Sequence, residues 1–72
     1  MFSKAESITM QLSGVTDGAT QKAAVQVLRG INGVRSVSVD RKSAVAAVTF
    51  LPDKTTVPTL TKALEEAGFS VI

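Results

Sequence analysis

Apolar and polar residues alternate in three segments of the chain, which predicts three β-strands, and a short apolar segment predicts a fourth. The segments cover residues 5–12, 34–40, 44–50 and 69–72. The second and third are joined only by a short polar turn, so we expect them to form an antiparallel hairpin. The apolar residues on the predicted inner faces are Ile8, Met10, Leu12, Val37, Val39, Ala46, Val48 and Phe50.

Two further segments space their apolar residues by three and four positions, which is typical of amphipathic helices. The first follows Asp17 and is ended by Gly30 and Gly33. The second begins near Thr56, with Pro58 in its first turn, and ends before Gly68. The predicted inner stripes are Ala24, Val27, Leu28 and Ile31 in the first helix, and Val57, Leu60, Leu64 and Ala67, with Ala63 beside them, in the second.

The elements therefore follow the order βαββαβ. Two right-handed crossovers in this order place both helices on one face of a four-stranded antiparallel sheet. We predict an α+β ferredoxin-like sandwich that forms a single domain over residues 1–72. A chain of this length has no room for a second core.

The loop between the first strand and the first helix is the candidate functional segment, because such loops commonly carry function. It reads Gly14-Val15-Thr16-Asp17-Gly18-Ala19-Thr20. Its glycines allow a tight turn, and Asp17 can accept hydrogen bonds from the free N–H groups of the first helical turn. We predict that Asp17 caps the helix and that Val15 anchors the loop in the core.

This loop resembles the metal loop of the heavy-metal-associated domains, which reads Gly-Met-Thr-Cys-x-x-Cys. That family includes small copper and zinc chaperones and the N-terminal modules of metal-pumping ATPases. The resemblance extends over nearly the whole chain, through Gly33-Val34-x-x-Val37-x-Val39-Asp40 to the closing Glu65-Glu66-Ala67-Gly68-Phe69. It implies the ferredoxin-like fold and, in the family, a soft metal ion held by two thiolates.

Both cysteines of the motif are replaced here, by Asp17 and Thr20, and the chain contains neither cysteine nor histidine. A thiolate metal site, a zinc cluster and a disulfide are therefore excluded. Asp17 and Thr20 stay a weak alternative metal position, since one exposed carboxylate and one hydroxyl bind a hard cation poorly. Glu6, Asp40 and Asp53 lie on other predicted elements.

The resemblance also implies a docking surface for partner domains, formed by the loop and the exposed side of the first helix. On this sequence it falls on Thr16, Asp17, Gly18, Lys22 and Phe69. Two of these residues also have a purely structural interpretation. Lys22 can belong to a solvated helix face, and Phe69 can pack at the end of the sheet. Phe69 occupies the position of an aromatic residue that lies next to the metal loop in bacterial members.

Several classes of function are disfavoured by composition. The chain lacks histidine and cysteine as catalytic groups and has no phosphate-binding glycine motif, so we expect no enzyme. A net charge of +2 and a lack of exposed strand aromatics argue against nucleic-acid binding. No segment has the length of a bilayer span, and the first residues lack a signal-peptide core, which predicts no membrane insertion and a cytoplasmic location.

The sequence thus predicts a degenerate heavy-metal-associated domain that acts as an interaction or regulatory module linked to metal transport. Its expected partner is another protein domain, such as one of a metal-transporting ATPase, and the expected state is a monomer or weak dimer without cofactor. The alternative is a metal-binding chaperone or transporter domain with a non-thiolate or partner-supplied ligand set and a weakly bound metal ion. Removal of the cysteines by engineering would leave the same pattern.

Overall fold

The computed structural model describes residues 4–72, and its elements follow the predicted order. The strands are β1 (Glu6–Ser13), β2 (Val34–Asp40), β3 (Val45–Phe50) and β4 (Ser70–Val71), and the helices are α1 (Gly18–Arg29) and α2 (Val57–Glu66). Residues 1–3, including the first part of the N-terminal segment considered above, lie outside the described residues. No helix within residues 4–72 is both long and apolar enough to cross a bilayer.

The four strands form one antiparallel sheet in the order β2-β3-β1-β4. Both helices lie on one side of it, which confirms the ferredoxin-like sandwich. The register pairs Ile8 with Val48 and Val48 with Val37. Because side chains alternate along each strand, these residues face the helices and their neighbours face outward. We call the outward side the open face; its central residues are Ser7, Thr9, Ser36, Ser38, Ala47 and Thr49.

The core consists mainly of aliphatic residues, together with Phe50 and Phe69. In β1 only the even-numbered residues point inward, and Met10 and Leu12 are buried. The buried apolar residues are Met10, Leu12, Val15, Ala24, Leu28, Val39, Ala46, Val48, Phe50, Leu60, Leu64 and Phe69. Most of the predicted inner residues therefore contribute to one continuous core.

The ends of α2 differ from the predicted apolar stripe. Val57 is 39% exposed, because it is the first helical residue and precedes the turn that packs on the sheet. Ala67 is exposed as well, since it is the C-cap residue beyond Glu66. Thr56 is the N-cap residue, but its hydroxyl lies 3.1 Å from that of Thr59 and bonds no backbone N–H of the helix.

The β2–β3 turn is held by Asp40. Its carboxylate accepts a hydrogen bond from the backbone N–H of Lys42 at 2.9 Å, and its carbonyl accepts one from that of Ala44 at 2.8 Å. Ala44 adopts φ 56°, a left-handed conformation that alanine rarely takes. The prediction that β3 begins at Ala44 is therefore wrong by one residue, since Ala44 completes the turn.

At the opposite end of the molecule the α1–β2 and β3–α2 connections pack tightly together. Gly33 has φ +103°, and a Cβ atom there would lie 2.7 Å from Cβ of Lys54. A side chain is thus excluded by both conformation and space. Thr55 is buried beside it, and its hydroxyl is the buried side-chain polar group without a hydrogen-bond partner among residues 4–72.

We expect Leu60→Ala to lower the free energy of unfolding by about 2–5 kcal/mol, because Leu60 is fully buried and its truncation opens a cavity. Val57→Ala in the same helix should change it by less than about 0.5 kcal/mol, since Val57 lies at the surface. Urea denaturation of the two variants beside the parent measures both values. Equal losses would contradict the placement of α2 on the sheet.

Candidate functional site

The first two residues of the loop before α1, Gly14 and Val15, hold the loop in place by their packing. Gly14 adopts φ +109°, and a Cβ atom there would lie 3.3 Å from Cδ1 of Phe69. Val15 is buried in the core, as predicted. The loop therefore leaves β1 with a glycine against an aromatic ring and enters the core with its next residue.

Asp17 and Thr20, the residues at the two thiolate positions of the family motif, bond to each other and to the helix start. Asp17 is the N-cap residue of α1, and its Oδ1 atom accepts the backbone N–H of Thr20 at 2.8 Å. The Thr20 hydroxyl accepts the backbone N–H groups of Thr16 at 2.9 Å and of Asp17 at 3.0 Å. It can donate to the carbonyl or the carboxylate of Asp17, each 3.0 Å away.

This reciprocal arrangement is a capping box, in which each side chain bonds the backbone of the other residue. It confirms the prediction that Asp17 caps the helix. It also places the Thr20 hydroxyl in a local role, because that oxygen accepts two hydrogen bonds and offers its only proton to Asp17. The two side chains at the ligand positions are thus already engaged by the protein itself.

Hydrogen bonding at the helix start lowers the pKa of the Asp17 carboxyl below its ordinary value. The backbone N–H of Thr20 is the largest cause, followed by the Thr20 hydroxyl. The N–H of Ala19 and the positive charge of Arg41 add to the effect. Asp17 is therefore held as an anion at the positive end of the helix dipole.

Arg41 belongs to this site, although the sequence indicated only a polar turn at its position. A Cβ atom at Gly18 would lie 3.6 Å from a guanidinium nitrogen of Arg41. The antiparallel topology explains the approach. β1 and β2 both pair with β3, so their C-terminal ends lie at the same end of the sheet.

The structure brings together only part of the predicted docking surface. Thr16, Asp17 and Gly18 are exposed in the loop, and Lys22 is exposed on α1. Phe69 is 6% exposed and packs beneath Gly14. Its predicted place on the docking surface is therefore corrected: Phe69 supports the loop from inside the core.

Carboxylates do not gather around the loop. Within residues 4–72, no group of three or more histidine, cysteine, aspartate or glutamate side chains is placed to hold a metal ion. Glu6 lies in β1, Asp40 ends β2, and Asp53 lies in the connection between β3 and α2.

The fold and this loop define a small βαββαβ domain with a glycine-framed loop at the start of its first helix. The family model of the heavy-metal-associated domain matches residues 9–70, and the chain belongs to this family. Family members are metal-binding modules of the chaperone type, and the relatives found here include metal-transport proteins.

Three relatives illustrate the similarity. The periplasmic component of the mercuric transport protein of Serratia marcescens is 32% identical over 69 residues, which cover 96% of this chain and 76% of that protein. Oxidized MerP from Ralstonia metallidurans has a TM-score of 0.91 at 30% identity and 96% coverage of both chains. A copper-binding domain from a P-type ATPase has a TM-score of 0.89 at 27% identity, covering 92% of this chain and 89% of its own.

We expect the stability that the Asp17 charge contributes to depend on pH. Because the pKa is lowered in the folded state, this contribution is complete above the ordinary value of 3.8 and is lost as the pH falls through the lower folded-state value. Asp17→Asn keeps a good capping side chain without the charge. Urea denaturation between pH 7 and pH 2 should therefore show the parent more stable than Asp17→Asn at neutral pH, with the difference vanishing in acid.

A matched control for this comparison is Glu66→Gln, which removes one exposed carboxylate at the end of α2. A difference between the parent and Asp17→Asn that stays constant down to pH 2 would contradict the charged cap.

Proposed function

We propose that this chain is a heavy-metal-associated domain that has lost its metal site and acts as a protein-interaction module in metal transport or homeostasis. The observation that carries the proposal is the capping box of Asp17 and Thr20 at the two positions where the family motif has cysteines. The loop keeps the frame of a metal loop, while its side chains stabilise the helix.

The ligand chemistry supports the loss of the metal. Copper(I) and mercury(II) are soft ions that prefer thiolate sulfur, and the loop offers one carboxylate and one hydroxyl instead. A hard cation needs six or more oxygen ligands, and no other carboxylates gather around Asp17. A metal ion would also have to compete with the backbone N–H groups that Asp17 and Thr20 now bind.

The exposed part of the loop supports an interaction role. Thr16, Asp17 and Gly18 are accessible at the start of α1, and Lys22 lies further along the exposed helix. Arg41 adds a second positive charge beside Gly18. We infer that this surface, defined here as the loop surface of residues 16–18, Lys22 and Arg41, docks on another protein domain and not on nucleic acid.

The relatives suggest the class of partner. One similar structure is a copper-binding domain of a P-type ATPase, and another is MerP. We therefore propose a domain of a metal-transporting ATPase, or another metal-carrying member of the same family, as the partner of the loop surface. The cytoplasmic location stays a prediction from the sequence, since the mercuric transport relative is a periplasmic component.

Copper(I) competition tests the loss of the metal site. At equimolar protein and under reducing conditions, we expect the parent to take up no copper(I) from a chromogenic chelator. Asp17→Cys combined with Thr20→Cys should take up one equivalent, because the loop already sets the ligand spacing and thiolates supply the soft donors. The single cysteine variants should bind more weakly than the double variant.

The same experiment also tests the alternative function, in which the chain is a metal-binding domain with non-thiolate ligands. Copper(I) or zinc(II) bound by the parent and released by Asp17→Ala would establish that alternative and overturn the proposal. A folded double-cysteine variant that binds no better than the parent would show that the loop shape has departed from that of a metal loop.

Charge reversal tests the docking role. The probe is a copper-loaded heavy-metal-associated domain with both cysteines, titrated into the isotope-labelled chain and followed by amide chemical shifts. We expect Lys22→Glu to weaken binding at least fivefold, since it inverts the charge of the loop surface. Lys54→Glu makes the same change at the opposite end of the molecule and should leave binding unchanged. Equal effects of both variants would point to non-specific attraction.

A further inference from the structure

The turn that leads from α1 into β2 contains the only asparagine of the chain, and a glycine follows it. The N–H of Val34 donates to the carbonyl of Ile31 at 3.2 Å, so Asn32 and Gly33 are the two central residues of this turn. Gly33 has φ +103°, and a type II turn places a glycine with positive φ at this position. Asn32 is exposed, and its side chain forms no hydrogen bond within residues 4–72.

The peptide group between Asn32 and Gly33 is equally unconstrained. Among the described residues, neither the carbonyl of Asn32 nor the N–H of Gly33 takes part in a hydrogen bond. The hydrogen bond that closes the turn, at 3.2 Å, lies at the upper end of the range for N–H···O bonds. Glycine also has no side chain that would hinder rotation or shield its nitrogen. The Gly33 nitrogen is therefore able to turn toward the Asn32 side chain.

We propose that Asn32 is a modification site, at which spontaneous deamidation limits the lifetime of the folded domain. Asparagine is thermolabile because the next main-chain nitrogen attacks its side chain, and glycine hinders this attack least. The reaction needs no partner other than water, to which Asn32 is exposed. The turn lies at the opposite end of the molecule from the loop before α1, so the inference is independent of the proposed function.

The reaction has two steps. In the first, the Gly33 nitrogen attacks Cγ of Asn32, the N–Cγ bond forms and the Cγ–Nδ2 bond breaks. The proton of the Gly33 N–H leaves with Nδ2 as ammonia, and the product is a succinimide ring. In the second, water opens the ring at one of its two carbonyls. Opening at Cγ gives aspartate, whereas opening at the main-chain carbonyl gives isoaspartate, in which the main chain runs through Cβ and Cγ.

A second dipeptide of the kind that forms this ring is protected by the structure. Asp17 precedes Gly18, and its Oδ1 atom accepts the backbone N–H of Thr20 at 2.8 Å. The Thr20 hydroxyl lies 3.0 Å from the same oxygen. These bonds direct the carboxyl toward the helix and hold it as an anion, from which no neutral group can leave. Ring formation is therefore expected at Asn32 and not at Asp17, although a glycine follows each.

Isoaspartate does not fit the joint that follows the turn. It lengthens the main chain by one methylene group directly before Gly33, whose carbonyl accepts the N–H of Leu51 at 2.8 Å. A Cβ atom at Gly33 would lie 2.7 Å from Cβ of Lys54 and 3.3 Å from Cγ2 of Thr55, so the main chain has no space to move toward them. The added length therefore breaks the hydrogen bond to Leu51 or separates the two connections. Aspartate leaves the main chain unchanged and adds only a charge on an exposed side chain.

Peptide mass spectrometry of the aged parent tests the site. After incubation of the folded chain at 37 °C and pH 8, the peptide that contains Asn32 should gain the mass that replacement of NH₂ by OH produces. Chromatography should resolve isoaspartate and aspartate products of this peptide and show no isoaspartate at Asp17. At pH 6 the reaction should be at least fivefold slower, because the attacking nitrogen must lose its proton. Asn32→Gln keeps an amide but cannot form the five-membered ring, and should gain no mass over the same period.

Urea denaturation of the separated products tests the consequence for the fold. The isoaspartate form, purified from the aged parent by chromatography, should unfold at a lower urea concentration than the unmodified chain. Asn32→Asp is the matched control, since it reproduces the charge of the aspartate product without the longer main chain. It should unfold close to the midpoint of the parent.

The parent in guanidinium chloride provides the rate of deamidation in an unfolded chain. A folded parent that keeps Asn32 intact while this unfolded reference is converted would overturn the proposal. So would an isoaspartate form that is as stable as the parent, or a loss of stability that Asn32→Asp reproduces in full. Isoaspartate that forms at Asp17 as fast as at position 32 would contradict the protection by the capping box.

Discussion

The first turn of α1 leaves backbone N–H groups without partners inside the helix, and the loop is organised around satisfying them. Asp17 and Thr20 do so together, through hydrogen bonds of 2.8–3.0 Å between their side chains and the backbone N–H groups of Thr16, Asp17 and Thr20. The same bonds engage the side-chain oxygens at both ligand positions of the family motif. In this chain both positions serve to cap the helix.

The loop before α1 is held by contacts with the core and with the end of the sheet. Val15 holds it to the core, and Gly14 lies directly against the ring of Phe69. These contacts are made by residues outside the two ligand positions. This explains how the chain can keep a close structural similarity to metal-transport relatives while its ligand chemistry has changed. The fold therefore supplies the loop, and the identity of two side chains decides what the loop can bind.

Much of the architecture follows from the sequence, because the periods of alternation and of the helical stripes are clear. β2 has the predicted bounds, and the capping role of Asp17 and the burial of Val15 and Met10 are confirmed. These properties follow from the local sequence pattern, and a chain this short can bury its apolar residues in few ways.

The structure differs from the sequence-based prediction where a residue's environment is set by its position in the fold and not by the local pattern. Val57 fits the helical stripe but lies in the first turn, before α2 reaches the sheet, and is exposed. Ala44 continues an alternating strand in sequence but takes a left-handed turn conformation. Arg41 reaches the loop only through the pairing of β2, β3 and β1, and no motif marks it. Likewise, the burial of Phe69 depends on the close approach of Gly14, which is far away in sequence.

The lack of cysteine has a consequence beyond metal binding. A two-cysteine loop changes its chemistry with the redox state of its surroundings, because paired thiols can oxidise to a disulfide. In this chain the sulfur atoms belong to Met1 and Met10, and Met10 is buried in the core. The loop thus presents the same oxygen atoms and the same charge under reducing and oxidising conditions. A partner that docks on it meets one surface, whether or not oxidants are present.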